Sequence, residues 1–210
     1  MAEILVLFHS TGGNTVAMAN AVAKGIDEVA GADATVKQVP EIAEAPRIQG
    51  PEWRERRLAF QDLPTASVEE LTSYDGIAFG TPVHFGSMSA AMRSFLDQTG
   101  AFWMQGALIG KPATVFVSAG SGGGRESAIL SLWSILAVHG MTIVPLGLRA
   151  PELSDQAGPH GASPFGAGTI AAGPGERPSE AELAAARVQG AALAETAVAL
   201  AKRSAGRSPD

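Results

Sequence analysis

The chain has no cysteine among its 210 residues. That absence excludes disulfides, thiolate nucleophiles, cysteine-ligated zinc and iron–sulfur clusters. It also lacks an excess of positive charge: 15 Lys and Arg stand against 21 Asp and Glu, a net charge of −6. Generic nucleic-acid or anionic-membrane binding needs the opposite balance. Charged residues make up 17% and apolar residues 46%, the reverse of a disordered chain. There is no internal repeat, and the length fits one domain, expected over residues 1–203 with a frayed tail over 204–210. The apolar run at residues 4–8 is too short for a secretory signal and follows Glu3 rather than basic residues, so a cytoplasmic location is expected. From Ser127 to Leu148 no Asp, Glu, Lys or Arg occurs, long enough for a membrane span. His139-Gly140, the β-branched Thr142-Ile143-Val144 and Pro145 divide it instead into a buried helix and a buried strand, so no integral span is expected.

What is abundant is glycine, 25 residues, and its placement follows the strands. Short apolar runs at residues 3–8, 34–39, 74–80, 113–118 and 141–145 read as strands buried on both faces. Between them, apolar residues recur at helical spacing: Met18, Val22, Ile26 and Val29; Met88, Ala91, Met92, Phe95 and Leu96; and the apolar stretch 126–138. Ser67 with Glu70, and Ser179 with Glu182, have the spacing of capping boxes. The second opens a last helix burying Leu183, Ala186, Gly190, Leu193, Ala197 and Leu200. Residues 41–66, with Trp53 and the basic Arg54, Arg56 and Arg57, form an aperiodic insertion, and 146–178 a long Gly/Pro-rich loop. Strands alternating with helices predict a doubly wound, five-stranded parallel sheet with helices on both faces.

Ligands bind such sheets beyond the carboxyl ends of the strands. Three loops rich in Gly, Ser and Thr follow the first, third and fourth strands, so they share one edge and can converge. The first, Ser10, Thr11, Gly12, Gly13, Asn14 and Thr15, joins a strand to a helix N-terminus, where free amides and the helix dipole attract an anion. It contains no Lys or Arg, so an anion there is expected to be held by dipoles and hydroxyls alone. The second carries Pro82, Val83, His84, Phe85 and Gly86; the third, 118–124, offers a row of backbone amides with few side chains. Together they suit a flat ring with polar edges.

Several phosphate-binding and catalytic classes fail on residues. There is no Gly-Lys-Ser/Thr of a P-loop and no Gly-x-Gly-x-x-Gly in the first loop, and the second strand offers only Glu41 as a ribose-binding acid. The first and third strands end in Phe8-His9 and Gly80-Thr81, without the acids of a phospho-receiver domain, and no Gly-x-Ser-x-Gly elbow follows a strand.

In combination, these loops and further segments resemble the WrbA-type NAD(P)H:quinone oxidoreductases, FMN-binding members of the flavodoxin-like fold. The resemblance covers nearly the whole chain. Beyond the first loop it is carried by Phe79-Gly80-Thr81-Pro82, Phe85-Gly86, and Met92-Arg93-Ser94-Phe95-Leu96-Asp97-Gln98-Thr99-Gly100. Gly106-Ala107-Leu108, Gly110-Lys111, Gly122-Gly123-Gly124, His139-Gly140-Met141 and Pro164-Phe165-Gly166 also match.

The resemblance implies that Ser10, Thr11, Gly12, Gly13, Asn14 and Thr15 hold the FMN phosphate. Pro82, Val83, His84, Phe85 and Gly86, with Ser118, Ala119, Gly120, Ser121, Gly122 and Gly123, would hold the isoalloxazine ring. Trp103, read as lying in a loop, would line the substrate side, and a homotetramer would complete each pocket. The implied reaction is ping-pong two-electron reduction of quinones by NAD(P)H, with hydride passing through flavin N5. The chain departs from the family at Gly12, often Tyr, at His84, often Arg, and at Val138, which occupies the place of a flavin-contacting His; His139 is the one residue able to substitute. A one-electron carrier is the alternative, less favoured because the chain lacks a strongly acidic face and carries the Arg54–Arg57 cluster. A regulatory protein binding a transcription repressor is a third reading, for which no residue speaks.

Overall fold

The computed structural model describes residues 1–42, 55, 57–151, 160–172 and 177–205. Half of the 41–66 insertion, residues 43–54 and 56 with Trp53, Arg54 and Arg56, lies outside these residues, as do 152–159 and 173–176 of the long loop and 206–210 of the tail.

The near-continuous apolar run at the start forms β1 (Ala2–Phe8), and six of its seven side chains are buried. Because side chains alternate across a strand, Ile4, Val6 and Phe8 pack on one face, and Leu5 and Leu7 on the other. The other strands are β2 (Ala32–Gln38), β3 (Gly76–Pro82), β4 (Pro112–Ala119), β5 (Thr142–Ile143) and β6 (Gly168–Ile170). All pairings are parallel, and the order is β2-β1-β3-β4-β5. The expected sheet of five positions is therefore present, with one addition. The fifth position is filled in two pieces: β5 pairs with the start of β4 at Pro112 and Ala113, and β6 with its end at Val117–Ala119. The second piece, β6, falls inside the loop expected over 146–178.

The helices are α1 (Asn14–Asp27), α2 (Ala90–Asp97), α3 (Gly100–Met104), α4 (Arg125–Val138) and α5 (Glu180–Ala205), with a 3₁₀ turn at Glu69–Thr72. The charge-free stretch divides into a helix and a strand, α4 followed by β5, but the strand is only Thr142–Ile143 and, contrary to the expectation, neither of its residues is buried. Trp103 differs from the expectation: it lies in the short α3, not in a loop. Helices α1 and α5 cover one face of the sheet; α2 and α4 cover the other. Helix α5 is long and apolar enough to cross a membrane, but Ala185, Ala186, Leu193, Ala194 and Ala197 are buried in the core beneath it, which explains its composition. It crosses α1 so closely that a Cβ on Gly25 would sit 1.9 Å from the Arg187 carbonyl oxygen, and one on Gly190 2.1 Å from that of Val22.

Of the two predicted capping boxes, one forms and the other forms only in half, its serine hydroxyl capping nothing. Ser179 and Glu182 make a reciprocal box, with Glu182 N donating to Ser179 Oγ at 3.3 Å and Ser179 N to Glu182 Oε2 at 2.8 Å. Glu70 Oε2 accepts from Ser67 N at 2.8 Å, but the element is a 3₁₀ turn without a side-chain cap.

Candidate functional site

In a parallel sheet every strand-to-helix loop emerges at the carboxyl edge. Here that edge gathers the β1–α1, β3–α2 and β4–α4 loops, as the sequence predicts. In the first, Gly13 caps α1 in a left-handed conformation, φ 89°, with no side-chain hydrogen bond at the cap and no acidic residue in the first turn. The leading amides of α1 are left without a side-chain partner and keep their positive potential. Ser10 and Thr15 are buried; Ser10 Oγ accepts from Gly13 N at 3.1 Å and shapes the loop. The Thr11 hydroxyl is buried without a partner. A buried hydroxyl beside an uncapped helix start fits an absent acceptor such as a phosphate oxygen.

In the second loop, Val83 N donates to Ser118 O at 2.8 Å, which ties it to the third. His84 and Ser87 exchange backbone hydrogen bonds at 2.9 and 3.0 Å around a two-residue turn. Both central residues, Phe85 at φ 51° and Gly86 at φ 78°, are left-handed, the pattern of a type I′ turn. Phe85 is fully exposed. A left-handed aromatic with no packing to hold it stores roughly 1–3 kcal/mol of backbone strain, a cost characteristic of ligand clamps. In the third loop Gly124 caps α4 at φ 76°, again without a side-chain bond. A Cβ on Gly124 would lie 2.8 Å from Gly86 Cα. The two loops therefore touch backbone to backbone, which only glycines permit.

A further wall escapes the sequence reading. Beyond β6, Ala171 N and Ala172 N donate to Ala119 O and Gly120 O at 2.8 and 2.9 Å, and Ile170 packs under Gly122. Arg125 reaches from α4 to His160 O at 2.8 Å. The wall is fastened by Glu182, whose fully buried carboxylate accepts from Gly161 N, Ile170 N, Thr169 Oγ1 and Arg177 Nη1 at 2.8–3.0 Å. Burial pushes this carboxyl up, but the hydrogen bonds from Ile170, Ser179 and Thr169 and the Arg177 charge outweigh it, and it lies below its ordinary value.

Charge also reaches the first loop. His9 Nε2 lies 3.1 Å from Glu41 Oε1, and Arg57 Nη1 lies 2.6 Å from the same oxygen. The bond to His9, with Arg57 adding to it against burial, holds the Glu41 carboxyl down to about 2. Arg57, from the basic stretch of the insertion, is thus an ion-pair partner of Glu41. Burial, reinforced by the neighbouring His9, lowers the His84 imidazole and favours its neutral form.

Trp103 and His139 do not join this edge in their own chain. They precede β4 and β5, at the amino edge of the sheet. Trp103 Nε1 donates to Val138 O at 3.1 Å, and the indole is 53% exposed. His139 is buried, 2.9 Å from Thr99 Oγ1, whose hydroxyl donates to Leu96 O at 2.6 Å. With that hydroxyl proton used, His139 Nε2 carries the proton of their contact. Burial lowers its pKa.

Comparison with known proteins agrees with this fold. The family described as NADPH-dependent FMN reductase matches residues 2–151. Similar solved structures include a WrbA-like flavodoxin from Agrobacterium tumefaciens, 22% identical over 95% of this chain and 99% of that one, TM-score 0.64. An oxidoreductase from Corynebacterium diphtheriae is 20% identical over 95% and 98%, TM-score 0.57. Flavodoxin 2 from Bacillus cereus is 18% identical over 96% and 99%, TM-score 0.54. The fold is flavodoxin-like.

Proposed function

The chain belongs to the NADPH-dependent FMN reductase family, and from that premise we propose that it binds FMN across its three carboxyl-edge loops and reduces quinones with NAD(P)H. The observation that carries this reading is the loop edge itself: two uncapped helix starts, the buried unpartnered Thr11 hydroxyl, and the Gly86–Gly124 contact that joins two loops into one slot. Ser10, Thr11, Gly12, Gly13, Asn14 and Thr15 would take the phosphate. Pro82, Val83, His84, Phe85 and Gly86 would flank the ring, facing the amides of Ser118, Ala119, Gly120, Ser121, Gly122 and Gly123. Bound FMN would supply hydride chemistry through its N5, so the chain needs no nucleophile. Its residues bind, orient and exclude water; His84, kept neutral by burial, can donate or accept a hydrogen bond at the ring without adding charge.

A homotetramer is part of the proposal. Trp103, Met104, Ile109 and Val138 are all exposed near the amino edge, and α4 also exposes Leu130. Apolar surface gathered in this way marks an interface. Seated on a neighbour's loop edge, Trp103 could cover a flavin there, and His139 would stand behind it.

The test is the visible spectrum of purified protein with and without FMN, followed by steady-state NADPH and NADH oxidation with benzoquinone. Flavin absorption bands with quinone-dependent turnover are expected. Protein that takes up FMN yet oxidises neither nucleotide would refute the enzyme reading, and protein that takes up none would refute the cofactor reading. Light scattering of wild-type and Trp103→Ala protein tests the assembly, with four copies expected for the former.

A further inference from the structure

Glu41 stands where a carboxylate is least expected. It is negative and half-exposed, and through His9 it borders a loop suited to a dianion. Its single Oε1 meets both His9 Nε2 at 3.1 Å and Arg57 Nη1 at 2.6 Å. These two partners lead to opposite ends of the anion loop. His9 immediately precedes Ser10, is 8% exposed, and is fixed to β3 by the hydrogen bond its backbone N donates to Gly80 O at 2.9 Å. Its Nδ1 is buried with no partner. Arg57 opens a segment that delivers Phe60, whose ring lies 3.9 Å from where a Cβ on Gly13 would be. That segment is stitched to the end of β2: Gln38 Nε2 donates to Leu63 O at 2.7 Å, and Gln38 N to Pro64 O at 2.9 Å.

We propose that Glu41 is a positioning residue for the phosphate of the flavin, joining His9 at the start of the anion loop to the Arg57–Phe60 segment packed against its end. The inference rests on the FMN reading above. It makes a prediction opposite in sign to simple Coulomb attraction. Removing a negative charge near a bound dianion should tighten binding, by about twofold at a screened, partly exposed site. Removing a residue that holds the loop in shape should weaken it, by about tenfold for one charge-assisted hydrogen bond.

The experiment titrates wild-type, Glu41→Gln, Arg57→Gln and the double variant with FMN and with riboflavin, which lacks the phosphate, following flavin fluorescence. Circular dichroism confirms folding. Each single variant is expected to lose about tenfold in FMN affinity while riboflavin changes by less than about twofold. The double variant should be no weaker than either single one, because the two residues act as one unit. Tighter or unchanged FMN binding by Glu41→Gln overturns the inference. Equal losses for FMN and riboflavin, the mark of a merely structural role, overturn it too, as do additive losses. Should Glu41→Gln fail to fold, Arg57→Gln, altered at a half-exposed side chain, decides by the same criteria. Wild-type protein that binds no FMN would instead bring down the cofactor reading on which this stands.

Discussion

Glu182 offers a strong test of how the loop edge is held. Its side chain is completely buried on α5, yet it is ionised, because five donors surround it. Oε1 accepts from Gly161 N, Ile170 N and Arg177 Nη1; Oε2 accepts from Thr169 Oγ1 and Ser179 N. In Glu182→Gln one oxygen becomes an NH₂ group. Whichever oxygen is lost, at least two donors then face donors, and Arg177 loses its counter-charge. Breaking a buried, hydrogen-bonded charge pair costs about 3–5 kcal/mol. The lower end applies here, since Gln keeps one acceptor and its shape. At about 2–4 °C per kcal/mol for a chain of this size, melting should fall by about 6–12 °C. Hydrogen exchange should speed up at Gly161 and Ile170 before it does at β1. The carboxyl lies below its ordinary value of 4.5, so its stabilisation is complete above that pH and is lost as pH falls through the folded value. Acid unfolding of the wild type should therefore be steeper than that of the variant. A melting shift below about 2 °C, or unchanged exchange at Ile170, would refute this account.

Three further outcomes follow from the same geometry. Gly124→Ala drives a Cβ to within 2.8 Å of Gly86 Cα at a left-handed φ of 76°; a stability loss of about 1–3 kcal/mol in chemical denaturation is expected, with FMN affinity falling more than about tenfold as the slot opens. Phe85→Gly relieves left-handed strain at a side chain that packs on nothing, so flavin-free protein should melt about 2–4 °C higher while flavin binding weakens; a lower melting point would show that Phe85 is held by contacts of its own. Burial lowers both His84 and His139 from 6.5. The unfolded chain therefore takes up protons first as pH falls, and stability present above 6.5 should decline below it. Melting series from pH 8 to 5 should show that decline, shallower in His139→Gln, and a flat profile would contradict it.

Much of the fold is legible in the sequence because its strands are buried on both faces. EILVLF, IAF and ATVFV are nearly all apolar without alternation, and their shortness, β-branched residues and the helical segments between them point to a covered parallel sheet. β6 is not legible. Gly168-Thr169-Ile170 has one β-branched apolar residue and sits in a Gly/Pro-rich stretch; it is a strand because the end of β4 offers an open edge and Glu182 grips Thr169 and Ile170 from another element. Glu182 itself reads only as a capping partner, since local spacing reveals Ser179 and cannot reveal Gly161. α3 is hidden for a similar reason. It opens on Gly100, a poor helix residue, and is steadied by a contact from elsewhere, the Trp103 indole to Val138 O.

The site divides along the same line between local rule and long-range contact. The rule that strand-to-helix loops share an edge places Ser10, Phe85 and Gly122 together from sequence alone. Arg57 meets Glu41, and through it His9 beside the first loop, only through tertiary folding of an aperiodic segment, which local sequence pattern does not reveal. For Trp103 and His139 the signal was available: both precede a strand, and the rule that gathers the loops at the carboxyl edge sends these residues to the amino edge. That makes them a constraint on assembly. If Trp103 is to lie over a flavin, the amino edge of one copy must meet the carboxyl edge of another. Such a contact joins two different patches, so it grows into an open filament unless it closes as a reciprocal pair about a two-fold axis or as a head-to-tail ring, and a tetramer requires closure. Cross-linking between residue 103 of one copy and residue 85 of another should therefore yield a closed oligomer of fixed size, and a ladder growing with protein concentration would exclude this arrangement.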